Sequence, residues 1–240
     1  MAIVENTVIY YDGDTELEAF YAYDNANNTP KPGILISHTW VGRNAFVENK
    51  ARQLAESGFV GFALDMYGKG VLGKNNDESA RLMQPLMQNR ARLQNRMTLA
   101  LNSIRQLPCV DSTQIAAIGF CFGGLCVLDL ARTGVNIAGI VSFHGLLDAP
   151  ERHSTNLIKT KILAFHGHDD PMVPPALVNA FQEEMTQAEA DWQFVSYGNT
   201  MHAFTNPVAN DPALGTVYQA SADKRSWRAM MNFFDEIFVV

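Results

Sequence analysis

The chain has 240 residues, 47% of them hydrophobic, with 18 basic and 25 acidic side chains that leave a formal net charge of −7. That apolar share supports a substantial core and excludes a disordered chain, which would carry fewer aliphatic residues and more charge. The mild acidity excludes the basic footprint of a nucleic-acid or anionic-membrane binder. Three cysteines, Cys109, Cys121 and Cys126, are too few for a disulfide framework and leave at least one thiol unpaired.

The opening residues have no basic start before an apolar run, so no secretory signal is expected. Val4 to Tyr11 and Leu17 to Tyr23 read as a hairpin around Asp12-Gly-Asp, and Asp24 to Pro32 as a loop. Gly33-Ile-Leu-Ile-Ser is a continuous apolar run, the pattern of a strand buried on both faces. From Asn44, the residues Val47, Ala51, Leu54 and Ala55 keep helical spacing and Gly58 supplies a stop. A strand over Phe59 to Leu64 follows, then a glycine-rich loop, then a helix starting near Asp77 that Pro85 is expected to kink. Leu93, Met97, Leu101 and Ile104 mark a longer helix ending near Pro108. Gln114 to Gly119 reads as a strand and Phe122 to Ala131 as the helix after it.

Ile137 to Phe143 and Lys161 to His166 are two further strands. Leu177, Phe181, Met185 and Ala188 lie on one helix face before the last strand, Trp192 to Tyr197. The segment Asn199 to Thr216 has no clear period, and long irregular connections are often functional. Trp227, Met230, Phe234 and Ile237 give the apolar face of a closing helix. Strands alternating with helices predict an α/β fold with a mostly parallel sheet and helices on both faces. Without an internal repeat or linker, a single domain over residues 1–240 is expected. The longest uncharged apolar stretch, Ile115 to Leu128, is broken by three glycines and falls short of the ~20 residues of a membrane helix. A soluble, cytoplasmic protein is the resulting expectation.

The chemistry concentrates in Ile115-Ala-Ala-Ile-Gly-Phe-Cys-Phe-Gly-Gly. Cys121 falls between a strand and a helix with Gly119 and Gly123 two residues to either side, the spacing of a nucleophile elbow with Cys where Ser is commoner. Small residues suit a strained turn, and the helix N-terminus favours a thiolate and an oxyanion. A buried structural Cys in a glycine-rich turn is the competing reading; a P-loop is not, since its Lys is missing. An elbow requires an acid after a later strand and a His after the last one. Asp169 and Asp170 follow the Lys161–His166 strand, and His202 follows the strand ending at Tyr197. The carboxylate would hold the imidazole's tautomer, and the imidazole would exchange a proton with nucleophile and leaving group. His38, His144 and His166, near strand ends, read as orienting or structural, and His153 as a surface residue. The His and Cys spacings offer no metal motif, and no cofactor is expected. Cys126, inside the helix, reads as a small core residue rather than a resolving thiol, and Cys109 has no assigned role.

These residues resemble the dienelactone hydrolase family of α/β-hydrolases. Gly119-Phe-Cys-Phe-Gly-Gly is similar to its elbow, Asp170-Pro-Met-Val-Pro to its acid loop and His202-Ala-Phe to its histidine segment, with further likeness at Leu64-Asp-Met-Tyr-Gly and Val141-Ser-Phe-His-Gly. The resemblance implies an α/β-hydrolase fold with Cys121 as nucleophile, His202 as general base and acid, and Asp170 as orienting carboxylate. Asp169 is the alternative acid. It further implies an oxyanion hole from the backbone N–H groups of Phe122 and Trp40, and a substrate pocket including His38, Thr39 and Asn206. The sequence departs from the family at Thr39, where Glu is common, and from the enzyme that names the family at Asn206, where that enzyme has an Arg helping to hold the substrate carboxylate. No other Arg aligned with the family's second carboxylate ligand, although Arg81, Arg90 and Arg92 lie in the relevant region. The expected activity is cofactor-independent hydrolysis of a small-molecule carboxylic ester or lactone, with no nucleic acid or membrane partner and with homo-oligomerisation left open. A redox-responsive or ligand-binding protein on the same scaffold is the alternative, and a peptidase-like relative ranks third.

Overall fold

The turn Asp12-Gly-Asp closes the opening hairpin, with Gly13 at φ +60° between β1 (Ile3–Asp12) and β2 (Thr15–Asp24) and Asp12 registered opposite Thr15. The computed structural model describes residues 2–27, 29–150 and 157–238, so His153, expected at the surface, lies outside the described residues. The chain divides into two units, Met1–Ile118 and Gly119–Val240.

In the first unit, β3 (Lys31–Ser37) starts within the segment read as a loop, because the Lys31 N–H finds the Cys109 carbonyl at 2.9 Å. Asn44 caps α1 (Ala45–Glu56) by accepting from the Phe46 N–H, and the helix buries Val47, Ala51, Leu54 and Ala55 as its spacing predicts. β4 (Val60–Ala63) runs parallel to β3 and antiparallel to β2. Pro85 sits inside α2 (Asn76–Gln88) without ending it. The break comes at Asn89, whose side chain accepts from the Arg92 N–H and starts α3 (Arg90–Arg105) afresh. Leu93, Met97, Leu101 and Ile104 are buried on α3. β5 (Val110–Phe120) is longer than expected and carries the chain into the second unit. Strand order in the first unit is β1-β2-β4-β3-β5.

The second unit opens with α4 (Phe122–Arg132) and continues through β6 (Gly139–Phe143), β7 (Lys161–Gly167), α5 (Pro175–Gln187) and β8 (Trp192–Tyr197), with β6, β7 and β8 parallel neighbours in that order. The long irregular segment contains a short antiparallel pair, β9 (Asn210–Asp211) and β10 (Thr216–Val217). The closing helix α6 (Ala220–Ile237) buries Ala222, Ser226, Met230 and Phe234. Trp227 and Ile237, expected on the buried face, are half-buried at its margins. Ser226 tolerates burial because its hydroxyl donates to the Asp223 carbonyl at 3.0 Å. Among the described residues the architecture is thus α/β with mostly parallel strands and six helices, as predicted. No helix among them is long and apolar enough to cross a membrane. Cys121, His144, Asp170 and His202 follow the carboxyl ends of β5, β6, β7 and β8 in turn, the usual place for chemistry in an α/β sheet.

Candidate active site

Cys121 is the residue at which β5 gives way to α4. It adopts φ 57° and ψ −119°, outside the regions an L-residue prefers. Its N–H donates to the Phe143 carbonyl at 3.0 Å, and its own carbonyl accepts from the Gly124 N–H at 2.9 Å. The turn is tight enough that a Cβ on Gly119 would fall against the Gly123 carbonyl and within 2.8 Å of the Gly124 nitrogen. This contact explains the glycine two residues before the thiol. Phe122 occupies the first helical position, whose N–H has no role in the helix's own ladder. Cys121 is half-buried, Cys126 is buried within α4 and Cys109 is half-buried; all three are thiols.

His202 is 1% exposed, and its backbone is fixed on both sides. Its N–H donates to the Gly215 carbonyl at 2.9 Å and its carbonyl accepts from the Val217 N–H at 3.0 Å, making a bridge to Thr216. The ring's Nδ1 lies 2.6 Å from Asp170 Oδ2. The other Asp170 oxygen accepts from the Met172 N–H at 2.8 Å, so the carboxylate is held at both ends. On the side away from Asp170, the neighbour of the ring is Cys121. Burial by itself would depress the imidazole's pKa, but the Cys121 and Asp170 charges and their hydrogen bonds outweigh it and push the ring up to about 10. The structure therefore brings Cys121, Asp170 and His202 together around one buried ring.

The two adjacent acids part company. Asp170 is buried, whereas Asp169 is exposed and contributes only its N–H, to the Thr200 carbonyl at 2.9 Å. A Cβ on Gly167 would come within 2.5 Å of the Thr200 carbonyl oxygen. The acid strand and the histidine loop meet at this glycine, which permits the short Asp170–His202 bond.

The loop residues implied by resemblance in the first unit are well organised. His38 is wholly buried, its Nε2 accepting from the Met66 N–H at 3.1 Å and its Nδ1 facing the Thr39 carbonyl at 2.6 Å. That pairing fixes the Nδ1–H tautomer, and burial holds the ring below the ordinary histidine pKa. Both nitrogens are thus committed to backbone, so His38 shapes its loop. Thr39 Oγ1 accepts from the Val41 N–H at 3.4 Å, and the Tyr67 hydroxyl donates to the Trp40 carbonyl at 3.0 Å. Asp65, which the sequence offered only inside a likeness, accepts from the N–H groups of Glu18, Tyr67 and Gly68 and so sets the neighbouring loop. Asn206 turns its Oδ1 toward the Val208 N–H at 3.3 Å. Arg92 pairs with Asp12 at 3.2 Å. Two contributors escaped the sequence reading, Asp65 and Thr205; the latter lies 2.8 Å from the Nε2 of His144. No group of three or more His, Cys, Asp or Glu among the described residues is arranged to hold a metal ion.

Known proteins resemble the chain over much of its length. The uncharacterized protein K02A2.1 of Caenorhabditis elegans is 41% identical over 150 residues, 61% of this chain and 95% of that one. A protein of Aquifex aeolicus (strain VF5), provisionally named a carboxymethylenebutenolidase, is 27% identical over 214 residues, 86% of this chain and 90% of that one. Among solved structures, a metagenomic protein described as the dienelactone hydrolase-like promiscuous phosphotriesterase P91 superposes over 100% of both chains with a TM-score of 0.94 and 35% identity. The model of the dienelactone hydrolase family matches residues 17–238. With nearly the whole chain matched, the protein belongs to the dienelactone hydrolase family and is a hydrolase of that type on an α/β-hydrolase fold.

Proposed function

We propose that the protein hydrolyses a carboxylic ester or lactone without a cofactor, using Cys121 as nucleophile, His202 as general base and acid, and Asp170 as the carboxylate that fixes the imidazole. The observation that carries this reading is the buried His202 ring, bonded to Asp170 at 2.6 Å and raised in pKa jointly by Asp170 and Cys121. An imidazolium and a thiolate stabilise one another, which answers the weak ionisation of an ordinary thiol, pKa ~8.5, at neutral pH.

The steps follow from that pair. The Cys121 sulfur attacks the acyl carbon, and the Phe122 N–H receives the developing oxyanion. As the tetrahedral intermediate collapses, the C–O bond breaks and Nε2 of His202 delivers its proton to the leaving oxygen. The same nitrogen then takes a proton from water, whose oxygen attacks the thioester and releases the carboxylic acid and the thiolate. A lactone yields a single hydroxy acid. The committed ring nitrogens of His38 give it a part in shaping the loop that bears Trp40. Three unbridged thiols suit a reducing, cytoplasmic compartment.

The test is a panel of short aryl esters and lactones with wild type and Cys121→Ala, with intact-mass detection of a thioester on Cys121. Loss of turnover by about a thousandfold or more with the fold retained is expected; undiminished turnover removes Cys121 from the mechanism. A reversible sulfenic acid on Cys121 without ester turnover would instead favour the redox-responsive alternative. A second reading concerns breadth. The whole-chain likeness to a protein described as a promiscuous phosphotriesterase supports turnover of aryl phosphotriesters at the same thiol. Phenol release from such a substrate that is absent, or independent of Cys121, would refute it.

A further inference from the structure

Among the buried titratable side chains that the reaction above leaves unused is His144. His144 follows β6 at φ 39°, in the left-handed region that a non-glycine residue keeps only where its surroundings impose it, and it is 1% exposed. Its N–H donates to the Phe165 carbonyl at 2.8 Å, while the carbonyl of the preceding Phe143 accepts the Cys121 N–H at 3.0 Å. One corner therefore fixes the backbone of both Cys121 and His144.

That ring lies against the histidine loop. Nε2 is 2.8 Å from Thr205 Oγ1. Its centroid is 5.0 Å from that of His202 and 5.0 Å from that of Phe204, at interplanar angles of 66° and 78°. Ala203, between the two rings it touches, has φ 58°, so the loop is bent sharply at this point. The Asp170 bond sets the tautomer of His202, but a hydrogen bond made at Nδ1 does not by itself fix the plane of the ring. An aromatic ring packed edge-to-face on His202 restricts that plane.

We propose that His144, anchored through Thr205 and packed on the His202 ring, is a positioning residue that keeps Nε2 of His202 aligned with the Cys121 sulfur during ester hydrolysis. The inference rests on Cys121 and His202 being the reacting pair. Its chemistry is a division of labour: Asp170 holds the proton's place on the ring, and His144 holds the ring's plane.

The experiment uses Thr205→Val, which removes the hydroxyl at nearly constant volume, Thr205→Ser, which keeps it, His144→Phe, which keeps an aromatic ring, and the Thr205→Val/His144→Phe double variant. A base misaligned by a fraction of an ångström predicts a roughly ten- to hundredfold fall in kcat for an aryl ester, with KM within about twofold. Thr205→Ser should return kcat to within about twofold of wild type. The double variant should be no worse than the more damaged single one, because both changes break one bond. The pH profile of Cys121 alkylation by iodoacetamide should move toward that of an ordinary thiol in Thr205→Val and return in Thr205→Ser, a shift that a merely structural role would not produce. Wild-type kcat and alkylation profile in Thr205→Val and His144→Phe, or a loss that Thr205→Ser does not restore, would overturn the proposal. Full turnover by Cys121→Ala would instead sink the assignment beneath it, so the two failures are told apart.

Discussion

Replacing Gly119 by Ala tests whether the elbow's shape, rather than the mere presence of a thiol, sets the rate. The added Cβ would meet the Gly123 carbonyl and lie 2.8 Å from the Gly124 nitrogen, closer than the 3.0 Å that such atoms respect. Both obstacles are backbone, so no side-chain rotation relieves them; the first turn of α4 must shift by on the order of 1 Å relative to β5, and Cys121 sits on that hinge. Displacement of a reacting atom by about 1 Å lowers turnover by roughly a hundredfold, and overpacking of this kind lowers stability by about 1–3 kcal/mol. Ester turnover, Cys121 alkylation rate and urea unfolding measured on Gly119→Ala give both numbers. Gly198→Ala is the matched control: its Cβ meets nothing within 4 Å and its backbone is not left-handed, so stability should change by no more than about 0.5 kcal/mol. Wild-type alkylation and turnover in Gly119→Ala, or equal damage in Gly198→Ala, would refute the reasoning.

Two other outcomes follow from the acid and the base. Asp170→Asn should lower kcat by about a thousandfold or more, because the amide offers an N–H where Nδ1–H needs an acceptor, while Asp169→Asn should stay within about twofold of wild type; steady-state kinetics on the two variants decides between them. With its pKa raised from 6.5 to about 10, His202 binds a proton in the folded state that the unfolded chain has released. Its contribution is therefore complete below pH 6.5 and is lost as pH rises through about 10. Above pH ~8.5 an ordinary thiol is largely ionised in the unfolded chain, so between pH 8.5 and 10 the imidazole dominates the difference. Urea-unfolding stability of wild type should fall in that window by up to about 1.4 kcal/mol per pH unit relative to His202→Gln. Parallel pH dependences in the two proteins would contradict the raised pKa.

The order of Cys121, Asp170 and His202 along the sheet was legible because each follows a strand with a strong local signature. Glycines mark the turn at Cys121, and acid and histidine come after the strands that end at Gly167 and Tyr197. The choice of Asp170 over Asp169 came from the Val-Pro register, and the structure places the first in the core and the second in solvent. What stayed hidden depends on groups far apart in the chain or on satisfaction of polar atoms. His144 and Thr205 are 61 residues apart and share no pattern. The buried stripe of α6 includes Ser226, which hydropathy assigns to the surface until its bond to the Asp223 carbonyl is known. The resemblance implied a pocket role for His38, and its place near a strand end an orienting or structural one; the Met66 N–H and the Thr39 carbonyl reveal that its nitrogens are spoken for.

The backbone bridge that grips His202 on either side has a consequence for how the site can diversify. Because the chain returns at Gly215 to Val217 to clasp the histidine, the stretch between Asn206 and Leu214 is an excursion with both ends fastened. Its tip displays Val208, 85% exposed, and Leu214, 36% exposed. Doubling the length of such an excursion raises its closure entropy by only about 0.6 kcal/mol. Its length can therefore be rewritten at little expense to stability while His202 stays where it is, which makes this stretch an adjustable rim beside a fixed histidine.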